Sequence, residues 1–462
     1  MRFNAILRIG YERTSRFVLR LAGALLRCPS LIWNSQTALR APRIASRQTC
    51  PNREVLSYPI LSVALAATLA LSACRRIDPP APPEAEPAAP APAPPVEVVR
   101  IGHAAPLTGP VAHVGRDSEK GVWLAIEDAN IKGIQLGGKK VKFELVSEDD
   151  KGDPSLAVGI AQKLIDAKVA GVVGHLNSGT TIPASKVYSA AGIPQISGSS
   201  TNPTYTQQGF KTALRLIAND IQQGSVLGNF IINDLRAKRI AIIDDRTSYG
   251  QGLADEVEKA VKAGGVTVVA REFTSDTATD FKAMLKRIKA KKPEVIFHGG
   301  LDATGGPMLK QMRALGIKAQ FMQGDGGCTP QMVRFAGDAS NGFICSNPGL
   351  PIESMPSAQA KIFKDRFEKK FGQIQLYSPY AYDAASVMIA AMQKANSADP
   401  AKYLPELRKI NYDGVTGKIE FDEKGDVKAG FVSLYEVQCG KLDLLFTLST
   451  VESSEAQAVM KK

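Results

Sequence analysis

From residue 97 onward, β-branched runs alternate with stretches of helical spacing. No other feature narrows the possible folds as much. Val98–His103, Val141–Val146 and Val169–Gly174 read as strands. Between them, Gly115–Asn130 sets Val122, Ile126 and Ala129 on one helical face, and Ser155–Ala167 repeats Leu156, Ile160 and Leu164 at every fourth position. Thr181–Ala191 reads as a third helix, stopped by Gly192. The pattern then restarts. Arg239–Asp244, Val266–Phe273, Glu294–His298 and Gln320–Gln323 read as strands, and Gly250–Ala263, Asp280–Ala290 and Met308–Leu315 as helices. Strands separated by helices of about 10–15 residues predict an α/β fold of parallel sheets with right-handed crossovers. Roughly 250 residues of such units exceed one comfortable sheet, which predicts two lobes. Near the end, Lys418–Phe421 and Phe431–Val437 read as a β-hairpin with Gly425 in its connection.

The start of the chain has another character. Residues 55–73 contain the uncharged apolar run Tyr58–Leu71, preceded by Arg47 and Arg53. The run is too short for a membrane span, which needs about 20 residues, and suits the core of a signal peptide. It ends Leu71-Ser72-Ala73-Cys74, similar to a bacterial lipobox, so Cys74 is the expected lipidation site and new N-terminus. Residues 74–96 are rich in Pro and Ala and predict an extended, semi-rigid linker. Residues 1–54 are expected to be a long leader or an upstream extension from a mis-assigned start, and 451–462 a polar tail.

The net charge of +12 suggests nucleic-acid binding only until it is located. Ten Arg and two Glu in residues 1–54 supply +8, and the remaining +4 is spread over the body. The six Cys show no close-spaced pair and the four His form no ligand motif, so neither metal nor cofactor is expected.

In open α/β sheets, ligands sit at the carboxyl ends of strands. The loops there read His175–Thr180, Ser197–Thr201, Asp245–Tyr249, Gly299–Asp302 and Gly324–Gly327. They are rich in Gly and hydroxyls and poor in charge, which favours holding a small polar ligand over chemistry. Asn177–Thr180 opens a helix, where free N–H groups and hydroxyls suit a carboxylate. Asp325 offers an acid for an ammonium. Together they suggest a zwitterion. The plainer readings are that Ser178 or Thr180 only caps its helix and that Asp325 only shapes a turn.

At AAPLTGPVAHVG (104–115), GHLNSGTTIPAS (174–185), YGQGLA (249–254) and FDEKGD (421–426) the chain resembles the branched-chain amino-acid (Leu/Ile/Val) binding proteins of ABC importers. The resemblance spans about residues 98–445. It implies a type I periplasmic-binding-protein fold: two Rossmann-like lobes with three crossovers, lobe 1 being 98–220 plus 349–416 and lobe 2 being 221–348 plus 417–450. It implies that Ser178, Ser199 and Thr201 hold the ligand carboxylate and part of its ammonium, that Tyr249 covers the ligand, and that Asp325 pairs with the ammonium. Val114 and Leu301 stand where the family often carries an aromatic against the ligand side chain. Gly152 and Asn177 stand where the family has a disulfide, and Cys328 and Cys345 are a candidate pair for a replacement, which sequence alone does not establish. The implied partners are a small amino-acid-like ligand and an ABC permease in the cytoplasmic membrane. The protein would be a lipid-anchored monomer of the periplasm or cell envelope.

Two other readings stay open. One is a binding protein or sensor for an amide-like or other small ligand. The other is a serine-type hydrolase, for which His175 beside Ser178 is the one place a Ser–His pair could arise.

Overall fold

The computed structural model describes residues 96–355 and 357–450, together with a two-residue strand at Leu39–Arg40. Otherwise the leader, the signal segment, Cys74, the linker and the tail lie outside the described residues.

Two sheets organise the chain. The first has six strands in the order Gln135–Leu136, Lys139–Asp149, Glu97–Ala105, Gly171–Gly174, Gln195–Ser197 and Ala213–Arg215. Its pairings are parallel except at Gln135–Leu136. Ile101–Ala105 is buried at every position, as expected of a parallel strand covered on both faces. One face meets the helices Ala112–Lys132 and Ser378–Lys394, through Val122, Ile126, Ala385 and Met388. The other meets Pro154–Asp166 and Ser178–Ala190, through Ile160, Leu164 and Tyr188.

The second sheet has eight strands. Arg239–Asp244, Val295–Gly299, Gln320–Gln323 and Ile344–Asn347 form its parallel centre, with Thr267–Phe273 at one edge. Phe431–Gln438 and Lys441–Ser449 add antiparallel, and Leu39–Arg40 pairs with Thr447 and Phe446. Asp220–Asn233 and Ser248–Ala263 cover one face; Lys282–Ala290 and Asp302–Ala314 cover the other. Each buried Leu, Ile or Phe on these faces contributes about 1.5–3 kcal/mol. Cys328 and Cys345 are bonded beneath the second face, with Cα atoms 5.3 Å apart.

Local signals account for many boundaries. Asp153 and Thr247 cap their helices by accepting from Ser155 N and Gly250 N. Gly133 ends Ala112–Lys132 with φ of 64°, in the left-handed region.

Four expectations need correction. Leu156 points outward; the buried stripe is Ala157, Ile160, Ala161 and Leu164, offset by one residue. The helix expected at Met308 starts at Asp302, because Gly305 and Gly306 give close approach to Gln323 and Phe335 rather than breaking it. Lys418–Phe421 and Phe431–Val437 do not form a hairpin. Gly417–Ile419 pairs with Tyr412–Gly414, and Phe431–Gln438 pairs with Lys441–Ser449. Finally, Ile419 and Phe421 belong to the core of the first sheet, so the last passage between sheets follows Phe421 rather than Thr416.

Candidate ligand-binding site

The carboxyl ends of both sheets carry the loops singled out from sequence. On the first sheet, Ser178 is the first residue of its helix, with Asn177 at the cap position. Its hydroxyl accepts from Ser200 Oγ at 3.2 Å and from the Asn202 N–H at 3.3 Å. Ser199 Oγ donates to the Leu176 carbonyl at 2.9 Å. Thr201 is fully buried, and its hydroxyl meets no partner with hydrogen-bond geometry. These residues form a neutral wall.

Arg215 fixes that wall from behind. It is fully buried and donates to the carbonyls of Ser200 and Asn202 at 3.2 and 2.8 Å, and to Asp426 Oδ1 at 3.0 and 2.7 Å. The FDEKGD segment thereby gains a physical role. Asp422 Oδ1 accepts three backbone N–H groups, Gly425 takes φ of 103° against Ala213, and Asp426 is delivered to Arg215.

On the second sheet, Asp325 opens a short turn at the end of Gln320–Gln323 and is 1% exposed. Oδ1 accepts from Tyr249 Oη at 2.8 Å and Gln223 Nε2 at 3.1 Å; Oδ2 accepts from Tyr377 Oη at 2.6 Å. Burial pushes its carboxyl above the usual carboxylate range, and the three side-chain donors pull it back. Burial, then the Asp325 charge, push Tyr249 and Tyr377 well up, so both hydroxyls stay protonated donors. Tyr249 Oη also accepts from Gly326 N at 2.9 Å. Leu301 packs beside Gly326, where an added Cβ would lie 2.6 Å from its Cδ2.

Tyr377 belongs to the first sheet's wall. It lies in a small apolar cluster with Ala105, Val114, Leu176 and Leu376. Its bond to Asp325 therefore ties the two walls together. Asn202 Nδ2 donates to the Ser248 carbonyl at 2.6 Å, beside Gly252, where any Cβ would collide with Asn202. His113 Nε2 meets Asp302 Oδ2 at 2.7 Å. Asp302 also accepts from Thr329 Oγ1. These three contacts draw the walls together.

The structure thus assembles Tyr249, Asp325 and Leu301 on one wall and Ser178, Ser199, Thr201 and Val114 on the other. Sequence reading missed Tyr377, Gln223, Asp220 and the His113–Asp302 contact. Gln223 was findable as a polar residue on the buried face of an otherwise apolar helix. The Ser–His alternative is corrected. His175 Nδ1 faces Asp150 at 2.7 Å and Nε2 faces Tyr188 Oη at 3.1 Å, so both ring nitrogens are engaged away from Ser178. Asp150 and His175 also link the two loops where the family's disulfide stands. No His/Cys/Asp/Glu group suited to a metal occurs among the described residues.

Two sheets whose carboxyl-end loops face each other across buried polar contacts define the architecture of the protein. Comparison with known proteins agrees. A family model described as periplasmic binding protein matches residues 98–441. An amino acid binding protein of Pseudomonas aeruginosa is 38% identical over 341 residues, covering 73% of this chain and 90% of its own. The leucine-, isoleucine-, valine-, threonine- and alanine-binding protein of the same organism is 35% identical, covering 74% and 90%. The crystal structure of the leucine-binding protein LivK of Thermotoga maritima superimposes with a TM-score of 0.70 at 28% identity, covering 76% and 98%. The chain belongs to the periplasmic binding protein family, in the group of the Leu/Ile/Val-binding proteins. It is a periplasmic solute-binding protein and not an enzyme.

Proposed function

We propose that this protein is the substrate-binding lipoprotein of an ABC importer and captures an amino acid, with branched-chain aliphatic side chains favoured, between two closing lobes. The observation that carries this reading is Asp325, a buried carboxyl gripped from both walls by Tyr249, Gln223 and Tyr377. An ammonium placed there gains a charge partner in a low-dielectric site, where such a bond is strongest. The Ser178 helix start, with Ser199 and Thr201, then faces the ligand carboxylate. Val114, Leu176 and Leu376, with Leu301 opposite, form an aliphatic lining for the side chain. The relatives' names point the same way.

Lobe 1 comprises 98–220 plus 349–416 with the following stretch to Phe421, and lobe 2 comprises 221–348 plus the C-terminal strands. Ligand contacts to both lobes favour the closed form, which docks on the permease. Cys74 carries the lipid anchor, residues 75–96 hold the body away from the membrane, and the protein works as a monomer.

A thermal-shift screen of the purified protein against the twenty amino acids, small amides and benzoate tests the reading. Binding to the folded state raises the melting temperature by mass action. A shift with Leu, Ile, Val, Ala or Thr supports it. A shift only with ligands lacking an ammonium overturns it.

A further inference from the structure

Asp325 stands in a turn made mostly of glycine, Gly324-Asp325-Gly326-Gly327. Packing demands the glycines. A Cβ on Gly324 would collide with Leu253 Cδ2, and one on Gly327 would lie 2.5 Å from Gln323 Oε1. Three glycines in four residues also leave a backbone free to take many other conformations. Where the Asp325 carboxyl stands therefore depends on what restrains this turn.

The Cys328–Cys345 bridge sits where such a restraint acts. Cys328 follows the turn directly, and its N–H donates to the Asp325 carbonyl at 2.8 Å. Cys345 lies in the strand Ile344–Asn347, in register with Gln323, the last residue of the strand that leads into the turn. The bridge thus fastens the far end of the turn to the neighbouring strand. The next residue of that strand, Ser346, donates from Oγ to Gln223 Oε1. The same Gln223 oxygen accepts from Asp325 N at 3.1 Å, and Gln223 Nε2 donates to Asp325 Oδ1 at 3.1 Å. Backbone and carboxyl of Asp325 are both referred to one strand, through Cys345 and through Ser346.

Cys328 and Cys345 are 4% and 0% exposed, in a core cluster with Phe321, Met332, Phe343 and Val437. Two thiols pack in such surroundings as small apolar groups, so opening the bridge spares the core. Cys328 also lines a cavity of about 290 Å³ with Asn347, Tyr380 and Tyr435, which admits a small reagent.

We infer that the Cys328–Cys345 bridge is a positioning element for Asp325, and that its thiol–disulfide state sets how tightly the site holds its ligand. This rests on the reading of Asp325 as the ammonium's partner. A restrained turn presents the carboxyl ready-placed. A reduced one must be ordered on binding, and that ordering lowers affinity. Reduction balances with a dithiol. Dithiothreitol gives up two electrons and two protons, the S–S bond breaks, Cys328 and Cys345 become thiols, and the reagent closes to its cyclic disulfide.

The test is calorimetric titration with L-leucine and with 4-methylpentanoate, which is leucine without its ammonium. Three forms of the purified protein are compared: oxidised wild type, wild type reduced with dithiothreitol, and Cys328→Ala/Cys345→Ala. Thiol blocking with mass spectrometry verifies the reduced pair. The reduced and Ala forms should bind leucine about tenfold more weakly than oxidised wild type, and 4-methylpentanoate within about twofold of it. Re-oxidation should restore the leucine affinity of wild type, and dithiothreitol should leave that of the Ala form unchanged. Either form carries the test alone, which covers a variant that does not fold and a bridge that resists the reductant. Unchanged leucine affinity without the bridge overturns the positioning role and leaves the amino-acid reading standing. An equal loss for both ligands does the same, since it puts the bridge's effect in the fold rather than at Asp325. Oxidised wild type that binds 4-methylpentanoate at least as tightly as leucine overturns the amino-acid reading itself.

Discussion

The two walls of the cleft use different physics. The first-sheet wall is neutral. Ser178, Ser199 and Thr201 sit on loops whose carbonyls are braced by Arg215, and the start of the Ser178 helix offers its N–H groups and dipole. The second-sheet wall is built around one buried charge, Asp325, which needs Tyr249, Gln223 and Tyr377 to be tolerable at all. The first wall can stand alone. The second borrows a donor, Tyr377, from the first. Under the proposed function, a wall that needs its opposite would couple binding to closure, because Asp325 has all three side-chain donors only when the lobes meet.

That contrast can be broken at four places. The largest expected effect is on the free protein's stability. Folded Asp220 keeps its proton up to about pH 8, whereas an unfolded Asp loses it near 4. The folded state therefore binds more protons across that window, and Asp220's contribution to stability falls as pH rises from 5 to 8. Asp220→Asn should remove this slope, on the order of 1 kcal/mol per pH unit, seen as a melting-temperature gap over wild type that widens toward pH 8. Next, Asp325→Ala should weaken leucine binding about a hundredfold in calorimetry, since it removes the ammonium's partner. Tyr377→Phe should cost about tenfold, by deleting a bond to a charged group that also spans the lobes. It should also reduce any compaction on leucine addition that solution scattering measures for the wild type. Ser178→Ala should cost only about fivefold, because backbone N–H groups remain. If the Ser178 and Asp325 variants lose affinity equally, the walls are not different in kind.

Much of this was legible in the sequence, for physical reasons. Runs such as Ile240–Ile243 and Val295–Phe297 are buried on both faces and so read as unbroken apolar strands. Once strands are placed, the loops at their carboxyl ends follow, and with them Ser178 and Asp325; the family resemblance singles out Ser199, Thr201 and Tyr249 within those loops. The hidden parts were those set by distant contacts. Ser378–Lys394 is buried over most of its circumference, so it shows no clean stripe, and Tyr377 at its start went unread. Asp220 looks in sequence like an ordinary first-turn acid; only its burial beside Thr201 and Gly252 distinguishes it. The pairing of Phe431–Gln438 with both Lys441–Ser449 and Ile344–Asn347 depends on the second sheet's edge, which local spacing does not encode.

A crystal structure with the amino acid that gives the largest thermal shift tests the central claim most directly. The account predicts the ligand ammonium within hydrogen-bond distance of Asp325, its carboxylate at the start of the Ser178 helix, and its side chain against Val114 and Leu301. A ligand bound in the reverse orientation, or outside the cleft with Asp325 still held only by Tyr249, Gln223 and Tyr377, would contradict it.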